Sequence, residues 1–417
     1  MSGRPSLSAL DYLFSLEHIG IKFGLENIRT MLHALGDPQA AFKSIHVAGT
    51  NGKGSVTAMT DRALRASGYR CGRYTSPHLI RLNERFAIDG TAVADEPLID
   101  AIDTIRRTVE ALVSAGQLAT HPTFFEVTTA AAFELFRRAS VDVAVVEVGL
   151  GGRLDATNVL TPVATAITSI GFDHEQYLGG TLREIAIEKA GTIKAGVPVV
   201  VGDLPAEALD AVEEIAHERH AEIVRAGRTL PPAYDHVRLG LRGAHQVRNA
   251  AVAVALLETA AAGGLDIPPD AIATGLSDVS WPARLELRTF ADGRELLLDA
   301  AHNPDGAAAL AQFLREAGGS KPPLVFGAMR DKDISGMLRA LLPHVKTLIA
   351  TSASNPRSAL PSAIAEAARA IDPHFPIVVD PVPSSALTTA WRHAPRIVVA
   401  GSIFLLGDVL NEAGRLP

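Results

Sequence analysis

The sequence predicts an α/β fold. An N-terminal, mostly parallel P-loop-type sheet flanked by helices is followed by a smaller C-terminal Rossmann-like α/β domain. Short β-branched runs alternate with longer amphipathic segments along nearly all of the 417 residues, as in sheets whose strands are joined by right-handed helical crossovers. The alternation pauses over residues 276–306, where two extended segments flank a turn at ADG, and then resumes. A glycine-rich loop also follows an early strand, at the edge where such sheets bind ligands.

The first series contains four short apolar runs that we predict to be buried strands. They read FKSIHVA, VDVAVVEV, VATAITSI and VPVVVG. Longer stretches with helical patterning lie between and after them: EPLIDAIDTIRRTVEALVSAG, ALDAVEEIAHERHAEIV and HQVRNAAVAVALLETAAAGG. Strands and helices in this order predict a largely parallel sheet with helices on its faces.

The second series repeats the pattern on a smaller scale. Its predicted strands are PPLVFGAM, VKTLIATS, FPIVVD and RIVVAG, and its predicted helices are ISGMLRALLPH, LPSAIAEAARAI and SSALTTAWRHA. The pause in the alternation places the domain boundary within residues 281–286. We therefore predict a first domain over residues 1–283 and a second over residues 284–417.

Composition limits the kinds of partner. The chain is 47% hydrophobic and 20% charged, and its net charge of −7 provides no basic field for nucleic acid. No window approaches the roughly 20 apolar residues that span a bilayer, and the N-terminus lacks the features of a signal peptide. The single Cys71 excludes an intramolecular disulfide and fits a reducing compartment. We therefore expect a cytoplasmic protein that binds neither nucleic acid nor a membrane.

The segment HVAGTNGKGS (residues 46–55) places three glycines and one lysine after a strand and before the helical VTAMTDRALRASG. Glycines let a backbone wrap around phosphate oxygens, while a lysine and the first amides of a helix favour negative charge. The spacing departs from the standard P-loop, because Gly54 stands between Lys53 and Ser55. On the pattern alone, phosphate binding and an ordinary strand-to-helix turn are both compatible with this loop.

Glu147 ends an otherwise apolar strand, at the edge where open α/β sheets bind ligands. A carboxylate there is costly unless it meets a cation or hydrogen-bond donors. The glycines that follow could belong to a dinucleotide fingerprint, but Leu154 stands where that motif requires a third glycine. A carboxylate associated with magnesium beside a triphosphate agrees better with this segment.

The positions of two further residues make them candidates for functional roles. His174 follows the end of the next predicted strand, although a lone histidine is more often structural than a ligand. Lys189 lies in a helical segment with several acidic residues, where a lysine is ordinarily solvated. From the residues alone, functional and structural interpretations of both stay open.

Taken together, ten blocks resemble the folylpolyglutamate synthase and dihydrofolate synthase family, a branch of the Mur-type ATP-dependent ligases. In chain order they are HVAGTNGKGS, YTSPHL with NERF, TFFEVTTAAAF, VEVGLGGRLDATN, TSIGFDHEQYLG, EIAIEKAGTIK, HQVRNAAVA, WPARLE, DAAHNPDG and GSIFLLGD. They run in family order over nearly the whole chain, and the variant loop with its Gly54 is itself typical of the family. The resemblance therefore favours phosphate binding over an ordinary turn.

The resemblance implies an ATP site in the cleft between the domains. The residues it assigns to ATP are Asn51, Gly52, Lys53, Gly54, Ser55, Asn249, Arg284 and Asp299. Those it assigns to two magnesium ions are Ser55, Ser76, Glu147, His174 and Lys189, of which Lys189 resembles the lysine that is carbamylated in this family. Carbamylation would replace an ammonium with a carboxylate-like group that can approach a metal ion. The implied catalytic residues are Lys53, Glu147, His174, Lys189 and His302.

The resemblance also implies a pterin or folate site and a glutamate site. The pterin or folate residues are Phe23, Gly24, Leu25, Thr123, Phe124, Phe125, Glu126, Leu154, Asp155 and Ala156. A flat heterocycle favours an aromatic face such as that of Phe125, although aromatic residues in an apolar segment are more often core. The glutamate candidates are His302 and the segments 331–333 and 354–358. In the second segment, the guanidinium of Arg357 could hold a carboxylate in a fork.

Two positions depart from the family pattern. Ala283 and Ala300 stand where the family usually has glycine. We interpret both as packing variation, because each adds one methyl group and removes no functional group. A position that needed a positive φ would instead make alanine costly there.

The implied activity is ATP-dependent joining of L-glutamate to the carboxylate of dihydropteroate, of reduced folates that carry glutamate, or of both. Family members are commonly monomers. The alternatives are folylpolyglutamate synthase activity alone, another Mur-type amino-acid ligase, and a non-catalytic ATP-binding regulator. A ligase for a cell-wall nucleotide usually has a separate N-terminal domain, and too few residues precede Gly49 for one. The presence of Glu147, His174 and Lys189 argues against a regulator.

Overall fold

The computed structural model describes residues 8–118 and 120–413 and contains two sheets covered by helices. The first sheet consists of β1 Lys43–Ala48, β2 Cys71–Tyr74, β3 Phe86–Ile88, β4 Thr91–Ala92, β5 Val143–Glu147, β6 Ala164–Ile167, β7 Val199–Val201 and β8 Ile223–Arg225. Across the sheet these strands lie in the order β4-β3-β2-β5-β1-β6-β7-β8. Only β3 runs in the opposite direction, because it pairs antiparallel with β2 on one side and with the edge strand β4 on the other.

The central strand β1 determines where the site lies. Val47 of β1 pairs with Glu147 of β5 on one side, and Ala48 pairs with Ile167 of β6 on the other. Because parallel strands end at the same edge of a sheet, the loops that follow β1, β5 and β6 meet there. These are the loops that carry the predicted phosphate, metal and histidine positions.

Helices cover both faces of the first sheet. They are α1 Ala9–Ser15, α2 Glu26–Ala34, α3 Lys53–Ala66, α4 Asp95–Ser114, α5 Phe124–Arg138, α6 Glu175–Leu178, α7 Leu182–Ala190, α8 Ala206–Glu218, α9 Ala244–Ala262 and α10 Pro269–Ser277. Val143 and Val145 of β5 belong to the buried cluster of α3, α9 and α10, whereas Ala144 and Val146 belong to that of α4 and α5. This alternation is the period-2 pattern of a strand buried on both faces.

The second sheet is smaller and follows the same plan. Its strands are β9 Glu286–Thr289, β10 Glu295–Leu298, β11 Pro323–Phe326, β12 Thr347–Ala350, β13 Ile377–Val379 and β14 Arg396–Ala400, in the order β13-β12-β11-β14-β10-β9. Only β9 runs antiparallel, in a hairpin with β10. Its helices are α11 Pro304–Ala317, α12 Ile334–Leu341, α13 Pro361–Ile371, α14 Pro383–Trp391 and α15 Ile403–Ala413. The predicted fold class is confirmed.

One predicted helix ends early. The pattern ALDAVEEIAHERHAEIV predicts a single helix, but α8 ends at Glu218 and the last residues of the pattern form β8. His220 takes a left-handed φ of 52°, which interrupts the helical path, and Ile223 then pairs with Val199 of β7. The prediction is wrong here because β-branched residues fit the edge of a sheet better than an extension of the helix.

The segment that leads into the second sheet has unusual backbone angles. Ala283 and Leu285 take φ values of 57° and 47°, a left-handed region that favours glycine. The interpretation of Ala283 as simple packing variation is therefore wrong, because this conformation costs ~1–2 kcal/mol in a residue with a Cβ. Ala300 is not among the described residues with positive φ, so packing variation still applies there.

Among the helices within residues 8–118 and 120–413, none combines the length and the apolar character that crossing a bilayer requires.

Candidate active site

A cavity of about 720 Å³ lies among the loops that follow β1, β5, β6 and β10. It brings together every residue predicted for ATP and metal binding, from both sheets. These lining residues are Asn51, Gly52, Lys53, Gly54, Ser55, Ser76, Glu147, His174, Lys189, Asn249, Arg284, Asp299 and His302. Residues that are far apart in the sequence therefore meet in one cleft.

The phosphate loop, residues 49–55, connects β1 to the first turn of α3. Gly52 caps α3 with a φ of 87°, and a Cβ at this position would lie 2.4 Å from Asn249 Oδ1. Both the left-handed turn and the close approach of α9 therefore require glycine. Because α3 begins at Lys53, its unpaired first amides lie at the cavity.

Two ammonium groups converge on one carbonyl of this loop. Lys53 Nζ donates to the carbonyl oxygens of Gly49 (3.0 Å) and Thr50 (3.1 Å), and Lys189 Nζ donates to that of Gly49 (3.0 Å). Neither ammonium has a carboxylate within 4.0 Å among the described residues. Lys189 is 5% exposed, and burial, followed by the charge of Lys53, lowers its pKa to about 7. Two poorly compensated cations beside helix amides form a site for an anion.

Gly54, the departure from the standard P-loop, has a structural reason. A Cβ at Gly54 would lie 2.8 Å from Nε1 of Trp281. Trp281 precedes the second sheet, and its ring is covered by the guanidinium of Arg73 at 4.8 Å. The missing side chain thus lets the segment between the sheets pack directly on the first turn of α3.

Glu147 is the buried carboxylate of the cavity. It is 6% exposed and has no ion-pair partner within 4.0 Å in the described part of the chain. Burial raises its pKa, while the charges of Lys53 and Arg284 and a hydrogen bond from the Ser76 amide act in the opposite direction. A buried carboxylate without a paired cation suits a bound metal ion.

The donor set fits a divalent ion that is held in part by hydroxyl and phosphate oxygens. Within residues 8–118 and 120–413, no group of three or more His, Cys, Asp and Glu side chains could hold a metal. Besides Glu147, the cavity presents the hydroxyls of Ser55 and Ser76 and the imidazole of His174. Magnesium prefers oxygen ligands and commonly binds one or two carboxylates together with substrate phosphates. The residues present therefore fit a nucleotide-bound magnesium better than an all-protein cage.

Asp173, which the sequence analysis does not single out, joins the two sheets. Its Oδ1 accepts a hydrogen bond from Lys332 Nζ at 2.5 Å, and its Oδ2 accepts from Asn303 Nδ2 at 3.1 Å. His302 Nε2 lies 3.6 Å from the same Oδ2. Burial raises the pKa of Asp173, but the close approach of His302 and the charges of His174 and Lys332 outweigh it and hold the pKa well below its ordinary value. We call these five residues the intersheet cluster.

His174 has an unusual conformation in this cluster. Its φ is 52°, and its Nε2 lies 3.2 Å from Lys332 Nζ. Burial lowers the pKa of His174 to about 4, with Asp173 acting in the opposite direction and Lys332 adding to the shift. The imidazole is therefore neutral near pH 7 and has a lone pair for a donor or a cation.

A pair of amides links the phosphate loop to α11. Asn51 Nδ2 donates to Asn303 Oδ1 at 3.2 Å, and Asn303 Nδ2 donates to Asn51 Oδ1 at 3.0 Å. Asn303 is also the N-cap of α11, where its Oδ1 accepts from the Gly306 amide at 2.9 Å. Any displacement of the second sheet from the first would break this pair.

Arg284 and Asp299 lie on the second-sheet side of the cleft. Asp299 accepts hydrogen bonds from the amides of Leu285 and Ala301, each at 3.0 Å. Arg284 Nη1 donates to the carbonyl of Ala283 at 3.1 Å. The carboxylate of Asp299 therefore also fixes the backbone that carries Arg284 into the cavity.

Sequence reasoning missed Asp173 and Asn303, and it included Lys332 only within the glutamate candidate segment 331–333. Asp173 and Asn303 adjoin the predicted site residues His174 and His302, so adjacency was a usable signal. Lys332 contacts a residue 159 positions earlier in the chain, and nothing in its local sequence indicates that contact.

Four predicted pterin residues form an apolar wall near the cavity. Leu25 and Ala156 belong to the buried cluster of α1, α2, α4 and α5, and Phe124 and Phe125 pack against that cluster. Phe125 also packs tightly against the loop after β5: a Cβ at Gly149 would lie only 2.4 Å from the Phe125 Cζ. We call Leu25, Phe124, Phe125 and Ala156 the acceptor wall.

The other predicted pterin residues differ in exposure. Phe23 is 45% exposed, and its ring lies 6.0 Å from that of Tyr177 in α6. Gly24 has a φ of 133°, and Leu154 is half-buried. These residues flank the wall without forming part of its buried cluster.

Three predicted pterin residues are engaged in local hydrogen bonds. Thr123 and Glu126 form the capping box of α5, in which Thr123 Oγ1 accepts from the Glu126 amide (3.1 Å) and Glu126 Oε2 accepts from the Thr123 amide (2.8 Å). Asp155 accepts from the amides of Gly149 (3.1 Å) and Leu150 (2.9 Å). These groups shape the backbone around the wall, and direct contact with a pterin stays a prediction.

Of the glutamate candidates, His302 and Lys332 of the segment 331–333 meet at Asp173, whereas Arg357 lies apart from them. His302 lines the cavity, and the segment 331–333 reaches it through Lys332. Arg357 is exposed, with its guanidinium 5.8 Å from the centre of the Phe404 ring, and does not line the cavity.

The fold and the cleft define a Mur-type ATP-dependent ligase, and residues 283–405 match the Mur ligase, glutamate ligase domain. The chain is 38% identical to the dihydrofolate synthase/folylpolyglutamate synthase of Mycobacterium tuberculosis, over 99% of this chain and 96% of that protein. It is 34% identical to the protein of the same name from Bacillus subtilis, over 94% of this chain and 95% of that protein.

Solved structures agree with these relatives. Mycobacterium tuberculosis folylpolyglutamate synthase complexed with ADP and AMPPCP superposes with a TM-score of 0.89 at 33% identity, covering 98% of this chain and 100% of that one. A bifunctional folylpolyglutamate synthase/dihydrofolate synthase with Mn, AMPPNP and L-glutamate bound gives 0.83 at 31% identity, covering 98% of each. The present chain belongs to the dihydrofolate synthase/folylpolyglutamate synthase family and is an ATP-dependent acid–amino-acid ligase.

Proposed function

We propose that this protein joins L-glutamate to two acceptors, dihydropteroate and reduced folates that already carry glutamate, with release of ADP and phosphate. The observation that carries the proposal is the convergence of Lys53 and Lys189 on the phosphate loop, in the same cleft as the unpaired carboxylate of Glu147. Both activities appear in the names of the two relatives. Folylpolyglutamate synthase activity alone is the second candidate, because the two activities differ only in the acceptor.

The nucleotide would lie across the cleft between a first domain of residues 1–283 and a second of residues 284–417. Its phosphates would bind to residues 51–55, where helix amides and Lys53 provide positive charge. Asn249, Arg284 and Asp299 would contact the rest of the nucleotide. Their shared cavity supports this placement.

The first chemical step activates the acceptor. Its carboxylate oxygen attacks the γ-phosphorus of ATP in line; a P–O bond to the acceptor forms as the bond to ADP breaks, and an acyl phosphate results. Lys53 would leave the carbonyls of the loop and offset the charge on the transferring group. The amine of L-glutamate then attacks the acyl carbon, phosphate leaves, and the amine loses a proton as the amide forms.

Two magnesium ions would be held by Ser55, Ser76, Glu147, His174 and Lys189. When bound, these ions supply positive charge beside the triphosphate. Lys189 would contribute as a carbamate, formed when its neutral amine adds to carbon dioxide and releases a proton. Its lowered pKa supports this role, because more of the amine is neutral near pH 7 than in an ordinary lysine.

The two sheets would close over the cleft during the reaction. The acyl phosphate is sensitive to water, so a closed cleft protects it between the two steps. The intersheet cluster and the Asn51–Asn303 pair support this idea, since they join the sheets beside the phosphate loop. A monomeric state and a cytoplasmic location complete the proposal from the sequence.

The decisive experiment offers purified protein ATP, magnesium and L-glutamate with dihydropteroate or with a folyl-monoglutamate, and weighs the products. We expect one glutamate to be added to each acceptor. Addition only to the folate would select the second candidate, and phosphate release without any glutamate adduct would reject the proposal. The exposed Lys43→Ala variant serves as a control for activity lost during purification and storage.

A further inference from the structure

Arg85, in the NERF segment before β3, is a deeply buried cation that none of the roles above uses. It is 8% exposed. Its Nε donates to Nδ1 of His78 at 3.0 Å, and its guanidinium lies 5.2 Å from the centre of the Phe124 ring. The hydroxyl of Tyr74 is another close neighbour. All of these neighbours are neutral.

No carboxylate among the described residues lies within 4.0 Å of Arg85. Arg73, another arginine with little exposed side chain, shows the usual arrangement, with Asp61 Oδ2 at 3.1 Å. Glu17 and Glu147 act on Arg85 only from beyond ion-pair distance. Because a buried charge without a counterion is costly, an anion from outside the chain is expected at this position.

The position of Arg85 indicates which anion. On one side is Phe124 of the acceptor wall. On the other, the Arg85 carbonyl accepts from the amide of Thr75 at 3.1 Å, next to Ser76 of the cavity lining. The guanidinium of Arg85 therefore lies against the acceptor wall, and its backbone pairs one residue before the cavity lining, although Arg85 is not itself a lining residue. The carboxylate of an acceptor bound along the wall is the anion that this position would meet.

We propose that Arg85 binds the reacting carboxylate of the acceptor and orients it toward the γ-phosphate of ATP. The planar guanidinium presents two parallel N–H donors that match a carboxylate, whereas an ammonium cannot form this fork. The inference rests on the proposed function. It is made for dihydropteroate, because the reacting carboxylate of a folate that carries glutamate lies one residue farther from the pterin ring.

The test compares a carboxylate acceptor with its carboxamide, measured by equilibrium binding to wild type, Arg85→Gln, Arg85→Lys and the exposed control Arg81→Gln. We use dihydropteroate and the corresponding dihydropteroyl amide. Arg85→Gln is expected to weaken carboxylate binding ~10–100-fold, the range for hydrogen bonds to charged groups, and to change carboxamide binding less than about threefold. Arg85→Lys should retain part of the preference for the carboxylate, and Arg81→Gln all of it.

Two results would overturn the inference. Arg85→Gln could keep the wild-type preference for the carboxylate, or it could weaken both ligands equally, as a purely structural residue of the wall would. If Arg85→Gln does not fold, a structure of the wild type with dihydropteroate decides instead. We expect a carboxylate oxygen about 2.7–2.9 Å from an Arg85 nitrogen, and a carboxylate bound elsewhere refutes the role. A wild type that adds glutamate to neither acceptor would refute the proposed function itself.

Discussion

The lysines on the two sides of the cleft have opposite surroundings. On the first-sheet side, Lys53 and Lys189 donate only to backbone carbonyls and have no carboxylate within 4.0 Å. On the second-sheet side, Lys332 is 9% exposed at its side chain and forms a 2.5 Å ion pair with Asp173. We expect the unpaired cations to meet the charge of the substrate, whereas the paired cation joins the two sheets. The two kinds of lysine should therefore respond differently to substitution.

The largest effect is expected for Lys53→Ala. If Lys53 meets the transferring phosphoryl group as proposed, loss of its ammonium should lower turnover about 10³-fold, a typical cost of removing one preorganised donor. Stability should change little, because Lys53 bonds only to the phosphate loop. Phosphate release with acceptor and glutamate measures the rate. A Lys53→Ala variant as fast as the Lys43→Ala control would show that the unpaired lysine does not meet the phosphates.

If Lys189 holds metal as the proposed carbamate, Lys189→Ala should lower turnover about 10²–10³-fold through loss of that negative group. If the active form is a carbamate, short carboxylic acids such as formate should restore part of the activity by occupying the vacated space. The mass of the intact wild type under carbon dioxide should include one added CO₂. An active, metal-loaded enzyme whose crystal structure shows only an unmodified Lys189 would contradict this role.

Lys332→Met tests the paired side and should lower turnover ~10–100-fold, because it leaves the buried Asp173 without its ion-pair partner. The protein should also open, which small-angle X-ray scattering would detect as a larger radius of gyration. Lys321→Met removes an exposed lysine of the second sheet and serves as the matched control. If Lys332→Met leaves both the scattering curve and the rate unchanged, the paired lysine does not hold the two sheets together.

The smallest effect concerns the backbone between the sheets. Ala283→Gly should raise the melting temperature slightly. Glycine relieves the strain of the positive φ at 283 but adds entropy to the unfolded chain, and we expect a net stabilisation of up to ~1 kcal/mol. Ala300→Gly, at a position without positive φ, should lower it. Equal melting shifts in thermal denaturation of the two variants would show that the strain at Ala283 is negligible.

The sequence predicts one side of the cleft better than the other. Residues 49–55 are contiguous, and Glu147 and His174 follow strands whose ends must meet at one sheet edge, so local pattern and resemblance suffice to find them. The Asp173–Lys332 pair depends on how two independent sheets approach each other, and no local periodicity encodes that approach. Arg85 lies in the NERF block, but its lack of a counterion is a three-dimensional property that the local sequence does not show. The reason for Gly54, the contact with Trp281, is likewise invisible before the fold is known.

The most direct test of the account is a crystal structure of the protein with a non-hydrolysable ATP analogue and magnesium. The account predicts that Lys53 Nζ leaves the carbonyls of Gly49 and Thr50 and bonds to a phosphate oxygen, while the amides of residues 52–55 surround the β-phosphate. A nucleotide bound elsewhere, with Lys53 and Lys189 still on the Gly49 carbonyl, would contradict it.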